Sequence, residues 1–112
     1  MNNRDDSLYL QHILEAIEQI EEYVSDINYE SFRGTKLLQD GVIRQLEIIG
    51  AASKQLSQIS RDKTPRVPWR SIAGMRDKLI HQYFGVDIDA VWSTVIDDLP
   101  ELKKNLMILL QK

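Results

Sequence analysis

The 112-residue sequence contains no cysteine and only two histidines. The absence of cysteine excludes disulfide bonds, and any metal site would need carboxylates as most of its ligands. Long apolar runs are also missing, although a membrane-spanning helix requires about 18 or more apolar residues in succession. The N-terminal residues lack the basic-then-apolar order of a secretory signal. We therefore expect a cytoplasmic protein with no structural metal, no cofactor and no membrane segment.

Glycine and proline are scarce, with five and three residues respectively. Hydrophobic residues make up 43% of the chain and charged residues 28%, which is typical of a soluble globular protein and argues against disorder. A chain of this length can bury one hydrophobic core but not two. We expect residues 1–112 to form a single domain.

The net charge of -3 conceals an uneven distribution of charge. Residues 1–30 carry eight acids against the single base Arg4, whereas residues 61–78 carry six bases against two acids. The six bases are Arg61, Lys63, Arg66, Arg70, Arg76 and Lys78. Such a basic patch can attract a polyanion, although a merely solvated helix face explains the charges equally well.

Apolar residues recur at steps of three and four in two long segments, which predicts two amphipathic helices. The first covers about residues 7–26, with Asp5, Asp6 and Ser7 as candidate N-caps. The second follows Gly34 and continues to about Leu56; its broad apolar stripe predicts the central helix. Residues 28–32 between them are predicted to be a connection.

The second half of the chain predicts further helices separated by short breaks. Residues 60–68 are predicted to be the longest loop, and a third helix is expected over about residues 69–83. Gly85 is placed to terminate that helix, and Asp87 or Asp89 to cap a fourth. Pro100 fits the first position of a final helix. The expected fold is an all-α, antiparallel bundle of four to five helices.

The residues with the clearest chemical potential lie near the end of the third helix. Asp77 and His81 are four positions apart, so the carboxylate can orient the imidazole and raise its basicity. Arg76 is suited to bind phosphate through its guanidinium. It lies about 140° from His81 around the helix axis, so the two meet only through the arginine's length or across a partner subunit.

These three residues match the needs of RNA transesterification without a metal. His81 can act as general acid or base at the 2'-hydroxyl, and Arg76 can stabilise the charge that develops on the phosphorane. An arginine five positions before a histidine also occurs often by chance. Spacing alone therefore leaves a purely structural role open.

Several motifs in order resemble the HepT-like family of HEPN proteins over nearly the whole chain. They are residues 68–77 (PWRSIAGMRD), 85–87 (GVD), 46–50 (LEIIG) after Gln39 and Asp40, and 91–92 (VW) followed by 98–102 (DLPEL). The resemblance implies a HEPN-type bundle and a ribonuclease in which Arg76, Asp77 and His81 are catalytic. The family motif places its tyrosine at Tyr83. One departure is Ala51, because the family usually has glutamate at this position.

The resemblance also implies partners. Members of the family typically form homodimers and are encoded beside an MNT-type nucleotidyltransferase that acts as antitoxin. That enzyme transfers AMP to the motif tyrosine, so Tyr83 would be the modified residue. The expected function is thus a toxin ribonuclease that acts on RNA and is silenced by AMPylation.

Two alternatives remain. The first is a non-catalytic helical dimer that binds the nucleotidyltransferase or a nucleotide, and Ala51 slightly favours it. The second is nonspecific DNA binding through the basic patch, which is weakly supported because neither a helix-turn-helix nor a repeated basic face is visible.

Overall fold

A computed structural model describes the backbone of residues 4–81 and 87–111, together with the side chains of residues 6–75 and 87–111. Within these ranges the chain forms helices and short connections, with no strand. The elements are α1 (Arg4–Val24), α2 (Tyr29–Gly34), α3 (Lys36–Lys54), α4 (Gln58–Lys63), α5 (Trp69–His81), α6 (Ile88–Ser93), a π-helical turn (Thr94–Asp98) and α7 (Leu99–Leu110). The predicted all-α helical bundle is confirmed.

The central helix is α3, as its broad apolar stripe predicted. It packs against both α1 and α5, and α7 packs against α1. The most completely buried apolar side chains come from α1, α2, α3 and α7: Ile13, Ile17, Ile20, Phe32, Val42, Leu46, Ile49 and Leu106. Burying such side chains contributes about 1.5–3 kcal/mol each to folding. The core therefore lies around α3 and fixes how α1 and α5 are oriented.

Helices α1 and α3 are antiparallel, as contacts at both of their ends show. Near the start of α1, the Asp6 carboxylate accepts a hydrogen bond from the Ser57 amide, just beyond the end of α3. Near the end of α1, the Tyr23 ring lies beside Gly41, where an added Cβ would come within 3.2 Å of it. A Cβ at position 41 would therefore require the Tyr23 ring to move by a few tenths of an ångström.

The predicted start of α1 is wrong. Asp5, Asp6 and Ser7 lie within the helix, which already includes Arg4, so none of the three is its N-cap. The acidic, polar sequence suggested a cap because such residues favour helix starts. The carboxylate of Asp6 instead accepts hydrogen bonds from a distant segment of the chain, which the local pattern could not reveal.

Residues 28–32, predicted to be a connection, include the start of the short helix α2. The Asn28 side chain caps this helix by accepting a hydrogen bond from the Ser31 amide at 2.9 Å. At its other end, buried Gln39 donates to the carbonyls of Phe32 and Arg33 at 3.0 and 2.7 Å. These bonds satisfy carbonyls that a helix end leaves without partners, so α2 is stable although short.

The predicted loop over residues 60–68 is shorter than expected. Its first residues belong to α4, which Ser57 caps by accepting a hydrogen bond from the Ser60 amide. The connection to α5 is therefore residues 64–68. A six-residue helix is too short for its apolar periodicity to stand out, which is why the sequence predicted a loop.

The predicted fourth helix is divided into α6 and the π-helical turn. Asp87 caps α6 by accepting a hydrogen bond from the Ala90 amide at 3.2 Å, as predicted, whereas Gly85 lies outside the described residues. Leu99 donates its amide to the Thr94 carbonyl, five residues earlier. Because Pro100 has no amide hydrogen, the regular bond to the Ile96 carbonyl cannot form. Helix α7 begins at Leu99, so Pro100 lies in its first turn, one position later than predicted.

Across the described part of the chain, no helix combines the length and apolar content that crossing a membrane requires.

Candidate functional site

Three of the four predicted site residues lie in the last two turns of α5. Arg76, Asp77 and His81 belong to one continuous helix, in agreement with the spacing argument. Their side chains lie outside the described part of the structure, and Tyr83 lies outside the described residues altogether. Their catalytic and modification roles therefore remain predictions from the sequence.

The helical backbone fixes the relative positions of these residues along α5. Asp77 and His81 lie on adjacent turns of one face, the arrangement that lets a carboxylate contact an imidazole. Arg76 lies about 140° from His81 around the axis of α5. A site that uses both side chains on one phosphate needs either the full length of the arginine side chain or a second copy of the chain.

The start of α5 is held by a buried indole. Trp69 is only 4% exposed, and its Nε1–H donates to the Thr64 hydroxyl oxygen at 2.9 Å. Thr64 is 2% exposed, and its hydroxyl donates in turn to the Ser60 carbonyl at 3.1 Å. Two consecutive buried hydrogen bonds therefore connect α5 to α4.

The same connection continues to α1 through Asp6. Its carboxylate accepts hydrogen bonds from the Ser57 amide at 3.0 Å, from the Ser57 hydroxyl, and from the Ser60 hydroxyl at 2.6 Å. Burial by itself would raise the pKa of this carboxyl, but the hydrogen bonds outweigh burial and hold the pKa below 3.8, its ordinary value. Asp6, Ser57, Ser60, Thr64 and Trp69 are called the anchor network below.

Apolar contacts fix the rotation of α5 about its own axis. Trp69 and Ala73 are buried, one turn apart, and Ile72 and Met75 pack against the core at its edge. A rotation of α5 would expose these side chains to water, which costs free energy in proportion to the apolar area exposed. The anchor network and this apolar face together set the direction in which the backbone carries Arg76, Asp77 and His81.

The predicted basic patch is only partly available to a ligand. The Arg61 guanidinium donates to the Ser53 carbonyl at 2.8 Å, so this arginine satisfies the end of α3. Lys63, Arg66 and Arg70 are exposed. The side chains of Arg76 and Lys78 lie outside the described ones. Three exposed cations therefore precede the motif residues along the chain.

Two surface grooves flank α3. The first, between α3, α5 and α7, has a volume of about 650 Å³ and includes Ile72 and Met75 of α5. Its lining also includes the charged residues Arg66, Asp97, Asp98 and Glu101. The second, between α1 and α3, has a volume of about 620 Å³, and Ala51 lies in its wall. We call the second groove the α1–α3 groove.

A second set of contacts holds α6 against α2. The phenol of Tyr29 donates a hydrogen bond to the Asp89 carboxylate, which raises the pKa of Tyr29 above 10.0. Trp92 packs on Phe32, with ring centroids 5.0 Å apart. Helix α6 is therefore held against α2 through Tyr29, Asp89 and this aromatic pair.

Sequence reasoning missed both the anchor network and this set of contacts. Asp6 and Ser60 are 54 positions apart, and Tyr29 and Asp89 are 60 positions apart. No local periodicity joins residues so distant. The available signals were the Ser57-x-x-Ser60 pair, typical of a helix start, and the tryptophan directly after Pro68.

Among the side chains that the structure describes, no three histidine, aspartate or glutamate residues come together as a group that could hold a metal ion.

Comparisons with known proteins agree with the motif analysis. A family model described as "Ribonuclease HepT-like" matches residues 13–109. The chain is 53% identical over 95 residues to a "probable ribonuclease HepT" of Thermococcus cleftensis, covering 85% of this chain and 86% of that protein. It is 47% identical over 104 residues to a "putative RNase" of Caldanaerobacter subterraneus subsp. tengcongensis, covering 93% of each.

A third relative is longer. The chain is 46% identical over 109 residues to a "gamma-glutamylcyclotransferase and putative RNase" of Methanocaldococcus jannaschii, which covers 97% of this chain. The chain spans about half of that protein, 49% of its length. No solved structure matches the chain significantly.

Proposed function

Since this chain belongs to the ribonuclease HepT-like family, we propose that it is an endoribonuclease whose site includes Arg76, Asp77 and His81. The observation that carries the proposal is the family match over residues 13–109, which spans the whole of α5. The motif residues lie within that helix, whose start the anchor network holds. The exposed cations before the motif provide a local attraction for a polyanion.

The proposed reaction is a transesterification within RNA. The His81 imidazole removes the proton from a 2'-hydroxyl, and the 2'-oxygen attacks the adjacent phosphorus. Arg76 donates hydrogen bonds to the phosphate oxygens as they gain charge, and Asp77 holds the imidazole in the productive tautomer. The bond to the 5'-oxygen then breaks, and that oxygen takes a proton from an imidazolium. The products are a 2',3'-cyclic phosphate and a free 5'-hydroxyl.

A homodimer completes this site. Because Arg76 and His81 diverge by about 140° on one helix, two copies related by a twofold axis bring the arginine of one near the histidine of the other. RNA then binds in the cleft that the two copies share, and each copy contributes part of the chemistry.

The proposed control point is Tyr83. An MNT-type nucleotidyltransferase antitoxin transfers AMP from ATP to the phenol oxygen, and pyrophosphate leaves. Tyr83 is two positions after His81 in the sequence, and we propose that the added phosphate lies beside the catalytic residues. Its negative charge pairs with Arg76 and opposes the entry of RNA phosphate. The chain is then the toxin of a cytoplasmic toxin–antitoxin pair.

Ala51 is the observation that favours a second candidate, a non-catalytic dimer that binds the nucleotidyltransferase or a nucleotide. Its side chain has no polar group where relatives usually have a carboxylate. If that carboxylate supports cleavage in relatives, this chain binds RNA or its partner without cutting. The two candidates differ in one observable, the cleavage of RNA.

The experiment is an incubation of the purified chain with labelled single-stranded RNA in the presence of EDTA. The proposal expects cleavage to survive the chelator, because the chemistry uses a histidine and an arginine. It also expects products that end in a 2',3'-cyclic phosphate or its hydrolysis product, which mass spectrometry identifies. RNA that stays intact with and without EDTA supports the non-catalytic dimer, and cleavage that requires a divalent cation overturns the mechanism.

A further inference from the structure

The α1–α3 groove has the size and the side chains of a site for a small polar ligand. Its volume of about 620 Å³ falls within the range of about 300–1,000 Å³ that is usual for ligand pockets. Tyr9 and His12 of α1 line one wall. Arg44, Glu47 and Ala51 of α3 line the other, together with Gln55 just beyond the end of that helix. None of these residues belongs to the predicted catalytic motif.

The α1 wall is aromatic. Tyr9 and His12 are one helical turn apart, with ring centroids separated by 6.3 Å and planes inclined at 85°. In this edge-to-face arrangement the two rings do not cover each other's faces completely. A flat heteroaromatic ligand can therefore stack on one of them, as nucleobases do on exposed tyrosine and histidine rings.

The α3 wall carries charged side chains. The Arg44 side chain is 71% exposed, and its guanidinium lies 3.9 Å from the Glu47 carboxylate. An ion pair of that length occupies only part of a guanidinium with five N–H donors. Arg44 thus keeps donors for a phosphate, which arginine binds bidentately.

Glu47 and Ala51 give the groove a preference for bases that carry an exocyclic amine. The Glu47 side chain is 25% exposed, so its carboxylate can accept a hydrogen bond from the exocyclic amine of a base. Adenine, cytosine and guanine carry such an amine, and uracil does not. One turn further along α3, Ala51 is half-buried and small, which leaves room for the base between the two helices.

We propose that the α1–α3 groove binds one nucleotide of single-stranded RNA, with its base against Tyr9 and His12 and its phosphate at Arg44. This inference rests on the proposed ribonuclease function and extends it, because it adds a substrate-binding subsite that the catalytic motif does not contain. A strand held there and at α5 is bound at two places. The groove therefore contributes to affinity and to base preference, and His81 to cleavage.

The test uses the full chain with His81→Ala, so that RNA is bound without being cut. Fluorescence anisotropy measures the affinity of labelled 12-nucleotide oligo(A) and oligo(U) over a range of salt concentrations. Arg44→Gln is expected to weaken binding and to reduce the slope of log affinity against log salt by about 0.7, the value for one phosphate contact on a single strand. Tyr9→Leu is expected to weaken binding by roughly tenfold.

Lys36→Gln is the matched control for Arg44→Gln. Both cations lie on α3 and pair with an acid on the same helix, but the Lys36 side chain is 82% exposed and lies outside the groove. We expect Lys36→Gln to leave the salt slope unchanged. Ala51→Leu fills the groove and should weaken binding, while Glu47→Gln should reduce the preference for oligo(A) over oligo(U).

The outcomes separate this inference from the proposed function. If Arg44→Gln and Ala51→Leu bind RNA like the parent while the wild-type chain cleaves it, the groove is not a subsite and the ribonuclease function stands. If Ala51→Leu converts a dimer into a monomer, the groove is a protein interface and the inference is wrong. If the His81→Ala chain, in which the other substitutions are made, binds no RNA at all, both the inference and the proposed function are overturned.

Discussion

The carboxylate of Asp6 accepts a hydrogen bond from the Ser60 hydroxyl at 2.6 Å, although the two residues are 54 positions apart. Through Ser60 and Thr64 this contact reaches Trp69, the first residue of α5. The start of α1 and the start of the motif helix are thus coupled. The first measurable effect of a substitution at Asp6 should therefore be a lower free energy of unfolding.

We predict that Asp6→Ala lowers the free energy of unfolding by about 2–4 kcal/mol. The variant loses hydrogen bonds to a charged acceptor and leaves the Ser57 and Ser60 hydroxyls without it. Urea denaturation followed by circular dichroism measures the change. Glu18→Ala, an exposed acid on the same helix, should change stability by no more than about 0.5 kcal/mol. Equal effects of the two substitutions would contradict the importance of the anchor network.

The lowered pKa of Asp6 also predicts a dependence on pH. A carboxyl whose pKa in the folded state lies below its value in the unfolded state adds stability above the unfolded value. That contribution is lost as the pH falls through the lowered pKa. The difference in unfolding free energy between wild type and Asp6→Asn should therefore be larger at pH 7 than at pH 2.5. The same difference at both values would show that the Asp6 charge does not stabilise the fold.

Thr64→Val tests the next link in the network. Valine keeps the shape of threonine but cannot accept the Trp69 indole hydrogen bond, so a buried donor is left unsatisfied at a cost of about 1–3 kcal/mol. Thr94→Val is the matched control, because the Thr94 hydroxyl also donates to a carbonyl four residues earlier but no indole bond to it is seen. Thermal unfolding of both variants measures the difference. If Thr94→Val is as unstable as Thr64→Val, the lost stability comes from the hydrogen bond between the hydroxyl and the backbone carbonyl, and the indole bond contributes nothing.

Much of the helical framework could be predicted because periodicity reports directly on which face of a helix is buried. Leu46 and Ile49 on α3 lie in the core where the stripe placed them. The Asp87 cap was also predictable, since an N-cap depends on only three or four neighbouring residues. The short helix α2 was missed because part of its stability comes from Gln39, beyond the segment itself.

The candidate site was predictable only as a motif. Arg76, Asp77 and His81 follow a local spacing, and their place on one helix is confirmed. The α1–α3 groove is lined by residues that are far apart in the sequence, such as Tyr9 and Ala51. Such a site depends on how α1 and α3 pack, and packing is not encoded in any single window of sequence.

The homodimer remains a prediction, and the structure changes the argument for it. Residues 50–52 of α3 are small enough to let a second chain approach closely, but Gly50 and Ala52 are buried within a single copy and Ala51 is half-buried. Other apolar side chains are exposed: Leu37, Ile59, Ile96, Met107 and Ile108. Light scattering at micromolar concentration should give twice the 13.0 kDa mass of the chain. A monomer would remove the composite cleft and most of the catalytic argument.

Tyr83→Phe tests the proposed control by the nucleotidyltransferase. Co-expression with that enzyme should add the mass of one or more AMP units to the wild-type chain and none to Tyr83→Phe, because only the acceptor oxygen is lost. Tyr23→Phe, which removes the hydroxyl of a partly exposed tyrosine elsewhere in the chain, should still gain the AMP mass. Growth of the host reports on toxicity. If the nucleotidyltransferase still fully suppresses the toxicity of a Tyr83→Phe variant that is an active nuclease, it inhibits by binding alone.

Cleavage of single-stranded RNA by His81→Ala tests the central claim most directly. The comparison is with wild type and with Ser71→Ala, an exposed substitution on the same helix, at equal concentrations of folded protein. A general acid or base contributes about 10²–10⁴-fold, so His81→Ala should cut RNA slower by that factor while its circular dichroism is unchanged. Ser71→Ala should cut at the wild-type rate. If His81→Ala cleaves RNA as fast as wild type does, His81 is not the acid or base and the proposed mechanism is wrong.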